Sequence, residues 1–276
     1  MSIGLMPFGY VRPRTVAEAC QLLAEDPEAK LMAGGMTLLP TIKQRLASPS
    51  RLIDLAGIES LRGITVEGDT LVVGAMTRHA DVAASPLVKA HIPALADLAQ
   101  GIGDPHVRNR GTMGGATSNA DPAADYPAAI VGLGATLVTS ARTIAADDFF
   151  VDLFETALER GEILTALRFP IPQAAGYVKF PNPASRYATV GVFVAKWPDR
   201  VRLGVTGAAP CAFRLFVTES ALEERFAPDA IEPIQLDRTA LNGDGHADTD
   251  YRDHLVTVIA RRAVAACVAR LGPIQS

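Results

Sequence analysis

Two glycine-rich stretches decide how this chain reads: Ala33-Gly34-Gly35-Met36-Thr37-Leu38-Leu39-Pro40 and, about eighty residues further on, Arg110-Gly111-Thr112-Met113-Gly114-Gly115. Each sets small residues beside a hydroxyl and opens toward a helical stretch. Adjacent glycines let successive backbone N–H groups converge on one anion, because no Cβ blocks the turn. One such loop is an ordinary tight turn. Two point to a ligand with two phosphates held between two lobes, and a dinucleotide is the obvious candidate.

Working outward from the first loop, Lys30–Ala33 reads as a short strand leading into the Gly34-Gly35 turn. Thr37 is placed to cap a helix running to about Leu46, with Pro40 tolerated in its first turn. Arg51–Leu55 then returns as a strand, completing a βαβ unit in which N–H groups and the helix dipole favour an anion. Upstream, Thr15-Val16-Ala17-Glu18 has the capping-box pattern, and Val16, Cys20 and Leu23 share one helical face. A second region begins near Ile58. Gly63–Val66 and Thr70–Gly74 alternate around the turn Glu67-Gly68-Asp69 as a hairpin. Helical segments follow to Gln100. Gly101–Asp121 shows no periodicity and reads as a long irregular ligand loop. Strand patterns return at Ala135–Thr139 and Ile163–Phe169. Pro170-Ile171-Pro172 marks a boundary. Beyond it Tyr177–Phe180, Thr189–Trp197 and Arg202–Thr206 form a meander, with helices at Ser220–Arg225 and Tyr251–Leu271 and a polar loop at Leu241–His246. The expected units are 1–57, 58–172 and 173–276.

Several function classes are excluded. The formal charge of -4 and the 6% aromatic content give neither a basic footprint nor stacking platforms for nucleic acid. The first loop lacks the G-x-G-x-x-G spacing of a Rossmann turn, and no Walker A, HExxH or G-x-S-x-G motif occurs. Cys20, Cys211 and Cys267 form no CxxC pair, so the chain cannot build a local zinc or iron–sulfur motif. They read as reduced thiols of a cytoplasmic protein. The five histidines are scattered, and no metal site is expected. Met1-Ser2-Ile3-Gly4-Leu5-Met6-Pro7 is not a signal peptide. The longest apolar run, Ala128–Val138, is too short to span a bilayer.

The two glycine loops resemble those of the FAD-binding medium subunits of molybdenum hydroxylases, the family of carbon monoxide dehydrogenase and xanthine dehydrogenase. The likeness extends through Ile102-Gly103-Asp104-Pro105-His106-Val107-Arg108-Asn109, Ala120–Ala128, Asp148-Phe149-Phe150, Glu162-Ile163-Leu164, Tyr177-Val178-Lys179-Phe180 and Asp250–Leu255. It implies an α+β chain with a two-lobed FAD-binding fold of the vanillyl-alcohol-oxidase (PCMH) type. A C-terminal domain with a three-stranded antiparallel sheet and helices would follow. It also implies which positions hold FAD. Leu31, Met32, Ala33, Gly34, Gly35, Met36, Thr37 and Leu38 would wrap the pyrophosphate through backbone amides, and Thr112, Met113, Gly114 and Gly115 would form the second phosphate-binding segment. Met36 and Ala116 stand where relatives carry polar residues. Asp125 would accept from ribose hydroxyls, Ile102 and Leu164 would give apolar contacts, and Lys179 would lie near the flavin. Arg108 and Asn109 would lie near the isoalloxazine. No catalytic acid or base is expected, since the flavin carries the chemistry. The implied partners are a molybdopterin-binding large subunit and a small subunit with [2Fe–2S] clusters, with electrons leaving to an external acceptor. A stand-alone flavin oxidoreductase and a non-catalytic assembly subunit are the competing readings.

Overall fold

The computed structural model describes residues 7–271, so the reading of Met1–Met6 lies outside the described residues. The first unit runs β1 (Gly9–Val11), α1 (Val16–Glu25), β2 (Lys30–Met32), α2 (Leu38–Lys43) and β3 (Arg51–Asp54). Its three strands are parallel, in the order β1-β3-β2. The expected βαβ unit is β2-α2-β3. The first strand has no counterpart in the sequence reading, because three residues are too few to show alternation. Thr15 caps α1, its Oγ1 accepting from the Glu18 N–H at 3.1 Å. The Glu18 carboxylate accepts from the Arg14 N–H at 2.8 Å, one residue outside the usual box. Ala19, Ile53, Leu55, Ile58 and Leu61 form the core of this unit together with Met76 and Ile163.

The second unit begins with the hairpin β4 (Ile64–Glu67) and β5 (Thr70–Gly74), followed by α3 (His79–Ala84), α4 (Pro86–His91) and α5 (Pro93–Gln100). Next come α6 (Pro105–Arg110), α7 (Met113–Asn119) and α8 (Tyr126–Leu133). The chain continues through β6 (Thr136–Thr139), β7 (Thr143–Ala145), α9 (Ala146–Phe149), β8 (Phe150–Asp152), β9 (Glu155–Thr156) and β10 (Leu164–Pro170). The main sheet is antiparallel, in the order β4-β5-β10-β6-β7. The stretch expected to be irregular, Gly101–Asp121, in fact holds α6 and α7. Each has its own cap: Asp104 Oδ1 accepts from the Val107 N–H at 2.9 Å, and Thr112 Oγ1 from the Gly115 N–H at 3.1 Å. Helices of six and seven residues are too short to display a 3.6-residue period, so their caps are the signal that matters.

The third unit contains β11 (Ala174–Pro181), β12 (Ala188–Lys196), β13 (Val201–Thr206), β14 (Phe213–Arg214), α10 (Phe216–Glu224) and α11 (Thr249–Leu271). The three expected strands are present, and the two-residue β14 adds a fourth to the antiparallel sheet. Leu255, Val256, Ile259, Ala263 and Val264 of α11 pack against Val190, Val192 and Val194 of β12. On the other face α8, buried along its whole length, packs on β12 and β13 and joins this unit to the second. Among the described residues no helix is long and apolar enough to cross a membrane.

Candidate functional site

The chain turns at Gly34-Gly35 because Gly35 has φ +75°, a conformation that side chains with a Cβ resist. That turn presses against the second loop. A Cβ on Gly34 would lie 2.1 Å from the Arg110 carbonyl oxygen and 2.8 Å from Gly111 Cα. A Cβ on Gly114 would lie 2.5 Å from Ala75 Cβ. Both glycines are therefore required by close approach, and the two loops interlock across the boundary between the first and second units. Beside them opens a cleft of about 680 Å³, within the range of small-molecule sites. Leu31, Ala33–Leu38, Thr112, Gly114, Gly115 and Leu164 all line it.

The two loops differ in what they offer. Among the described residues, the N–H groups of Gly34, Gly35, Met36, Thr37 and Leu38 donate to no protein acceptor. These are five successive donors at the cleft wall. The second loop is largely committed. Met113 N–H donates to Thr77 O at 2.9 Å, Gly114 N–H to Ala75 O at 2.8 Å and Ala116 N–H to Thr112 O at 3.0 Å. Gly115 N–H is held by Thr112 Oγ1. The first loop thus carries the free donors, and the second is a close-packed wall. Thr37 does not cap α2 with its side chain; instead its carbonyl accepts from the Thr41 hydroxyl at 2.8 Å. Because α2 has only six residues, the anion-binding character rests on converging amides rather than on a long helix dipole.

Seven expected positions do not line the cleft: Met32, Ile102, Arg108, Asn109, Met113, Asp125 and Lys179. Met113 is fully buried in the core of the second unit. Asn109 Nδ2 donates to Pro105 O at 2.8 Å, and Arg108 Nη1 donates to Ile102 O at 2.9 Å and Gly103 O at 3.1 Å. These bonds brace the approach to the second loop. Asp125 and Lys179 meet each other, with Nζ 2.8 Å from Oδ1, and Tyr177 donates to the same oxygen at 2.5 Å. Burial pushes the Asp125 carboxyl up, while the Lys179 ammonium and the two hydrogen bonds pull it down. Lys179 also donates to Gly101 O at 3.1 Å and Arg186 O at 2.9 Å, so all three of its N–H donors are engaged. The cluster ties β11 to the segment before α6 and to the turn before β12.

Three cleft residues, His79, Tyr187 and Glu162, have no role assigned in the sequence reading. His79 at the start of α3 is 4% exposed and lines the cleft. Burial, helped by the Arg108 charge, lowers its pKa to about 4. Tyr187 lines the cleft as well, with Asp121 and Ala124. Glu162 fixes the wall before β10. It accepts from Arg142 Nε at 3.0 Å, Thr139 Oγ1 at 2.6 Å and the Glu159 N–H at 2.8 Å, and the Arg142 bond leads in lowering its pKa to about 2. No motif marks His79 or Tyr187, and the resemblance through Glu162-Ile163-Leu164 gives Glu162 no role, because its part depends on partners distant in sequence.

A run of free amides, an abutting loop where only glycine fits and a cleft of this volume together suit the diphosphate and flanking rings of FAD. The comparisons agree. Residues 6–172 match the family model described as the FAD binding domain in molybdopterin dehydrogenase. The carbon monoxide dehydrogenase medium chain of Hydrogenophaga pseudoflava is 37% identical over 95% of this chain and 98% of its own length. The nicotine 6-hydroxylase medium subunit of Paenarthrobacter nicotinovorans is 34% identical, covering 95% and 97%. Among solved structures, carbon monoxide dehydrogenase from Hydrogenophaga pseudoflava superposes with a TM-score of 0.85 over 97% of this chain and 99% of that one, at 37% identity. Quinoline 2-oxidoreductase from Pseudomonas putida 86 gives 0.86 over 97% and 99%, at 30% identity. With that match and likeness over about 95% of its length, the chain belongs to the family of FAD-binding medium subunits of molybdenum hydroxylases.

Proposed function

We propose that this chain is the FAD-carrying electron-transfer subunit of a heteromeric molybdenum hydroxylase. It takes electrons from a [2Fe–2S] subunit, fed by a molybdopterin-binding large subunit, and passes them to an external acceptor. The observation that carries this reading is the row of unpartnered amides at Gly34–Leu38, packed beside Thr112, Gly114 and Gly115 in the lining of the cleft. The first loop would hold the diphosphate through those N–H groups. Leu31, Ile163 and Leu164 would give apolar walls, and Asp121 and Tyr187 also line the cleft. Bound FAD supplies the electron-accepting and electron-donating chemistry; the protein positions it and limits solvent access.

The division of labour is supported by the chain's own chemistry. Among the described residues no three His, Cys, Asp or Glu side chains converge as a metal site, and Cys20, Cys211 and Cys267 are separate free thiols. The reading therefore assigns clusters and molybdenum to partner chains. The test is native co-purification with an absorbance spectrum and metal analysis. The expected result is a yellow chain when it is isolated alone, with iron and molybdenum only when two further chains accompany it. A chain that oxidises a substrate unaided, or one that stays colourless with excess FAD, refutes the proposal.

A further inference from the structure

His79 sits where the two glycine loops cross. Its backbone N–H donates to Gly111 O at 3.0 Å, and the flanking residue Arg78 bridges to Thr112. Its ring lies directly beneath Gly111: a Cβ there would be 2.5 Å from Nε2 and 2.8 Å from Cδ2. Gly111 in turn abuts Gly34, whose Cβ would fall 2.8 Å from Gly111 Cα. The imidazole is thus one residue removed from the row of free amides, on the side of the cleft whose own amides are committed. We propose that His79 is a binding residue of this site, donating a hydrogen bond from Nε2 of a neutral imidazole to the diphosphate of the dinucleotide. The proposal rests on the flavin reading of the cleft given above.

The two nitrogens of the ring lie in different surroundings. His79 Nδ1 and the hydroxyl of Tyr126 are both buried without a hydrogen-bond partner, and the two rings pack with centroids 5.3 Å apart. Nε2 is the nitrogen beside Gly111, on the loop that lines the cleft, and the proposal places the proton there. Desolvation keeps the ring neutral at physiological pH, so it acts as a donor of fixed direction and not as a mobile cation.

The test uses the full chain, with ADP, FAD and riboflavin as probes. Leu at this position removes the donor, whereas Gln returns an N–H near the same place. His79→Leu is expected to weaken ADP and FAD by roughly tenfold to a hundredfold, the range of one hydrogen bond to a charged group. His79→Gln is expected to recover most of that loss, and riboflavin, which carries no phosphate, should bind both variants as it binds the wild type. Equal ADP affinity in wild type and His79→Leu, or an equal loss for riboflavin, overturns the assignment. If His79→Leu does not fold, 15N-histidine spectra of the wild-type chain decide. The resonance absent from His79→Gln should show an Nε2–H tautomer and shift when ADP is added, and an Nδ1–H pattern or an unmoved resonance refutes the role. A wild-type chain that binds neither FAD nor ADP overturns the flavin reading along with it. Tight wild-type binding with indifferent variants overturns the histidine alone.

Discussion

Gly34→Ala places one methyl group at the contact that holds the two loops together. The added carbon would sit 2.1 Å from the Arg110 carbonyl oxygen, whereas real Cβ atoms stay beyond 3.0 Å, so the loops must part by about 0.9 Å. Every atom it meets is backbone, and no side chain can rotate away. An N–H···O contact of ordinary length stretched by that amount leaves hydrogen-bond range. Hydrogen bonds to a charged group are worth roughly 1.5–3 kcal/mol, so losing one or two costs about 3 kcal/mol, or about a hundredfold in Kd. The strain on folding should be milder, about 1–3 kcal/mol for overpacking, since it falls at one edge of the first unit. Flavin fluorescence titration reads the affinity, and urea denaturation reads the stability. Gly245→Ala is the control, because nothing lies within 4 Å of that position. If Gly34→Ala binds FAD within threefold of the wild type, the interlocked loops are not what shapes the site.

Two further outcomes follow from buried charge. The pKa of His79 falls from 6.5 to about 4 in the folded chain, so below pH 6.5 the unfolded chain takes up a proton that the native one refuses. Stability is complete above pH 6.5 and is lost progressively down to pH 4, by about 3 kcal/mol in total at 1.36 kcal/mol per pH unit. Urea midpoints of the flavin-free chain at pH 7, 6 and 5 should fall more steeply for the wild type than for His79→Gln; parallel curves would contradict the burial argument. Lys179→Met leaves the Asp125 carboxylate buried without its cation, a change expected to cost about 3–5 kcal/mol. Adding Asp125→Asn should return much of that in a double-mutant cycle, whereas strictly additive losses would show that the pair is not coupled.

The sequence is legible where local chemistry suffices. The Gly34-Gly35 turn, the hairpin around Gly68 and the three long C-terminal strands need only turn residues and alternation, and they lie where the pattern places them. The caps of α6 and α7 were equally local: Asp104 before Pro105 and Thr112 before Met113 are ordinary start signals. They were obscured because each helix is too short to reveal a period. The buried cluster of Asp125, Tyr177 and Lys179 is of another kind. The resemblance names two of its members as cofactor contacts, but only the folded chain shows that all of Lys179's donors are engaged by protein. His79 and Glu162 are less legible still. One depends on which ring edge the core seals, and the other on an arginine twenty positions away.

The asymmetry of the two loops has a physical logic. An anion held by free amides needs those amides desolvated yet unpaired, which is costly while the site is empty. Confining the free donors to one loop limits that cost, and it leaves the first loop partly exposed, with Met36 and Thr37 open to solvent. The second loop can then be fully bonded and rigid: Gly114 is tied to β5's end through Ala75, and Thr112 closes the cap of α7. The rigid wall is further anchored from behind. Arg108 braces Ile102 and Gly103, and Lys179 reaches from β11 to Gly101 at the start of the same segment. The C-terminal unit therefore contributes to the site in two ways: Tyr187 lines the cleft, and Lys179 holds the approach to the second loop in place. If that is its role, Lys179→Met should raise the FAD dissociation rate even at temperatures where the chain remains folded, and replacing the distant exposed Lys89 should leave that rate unchanged.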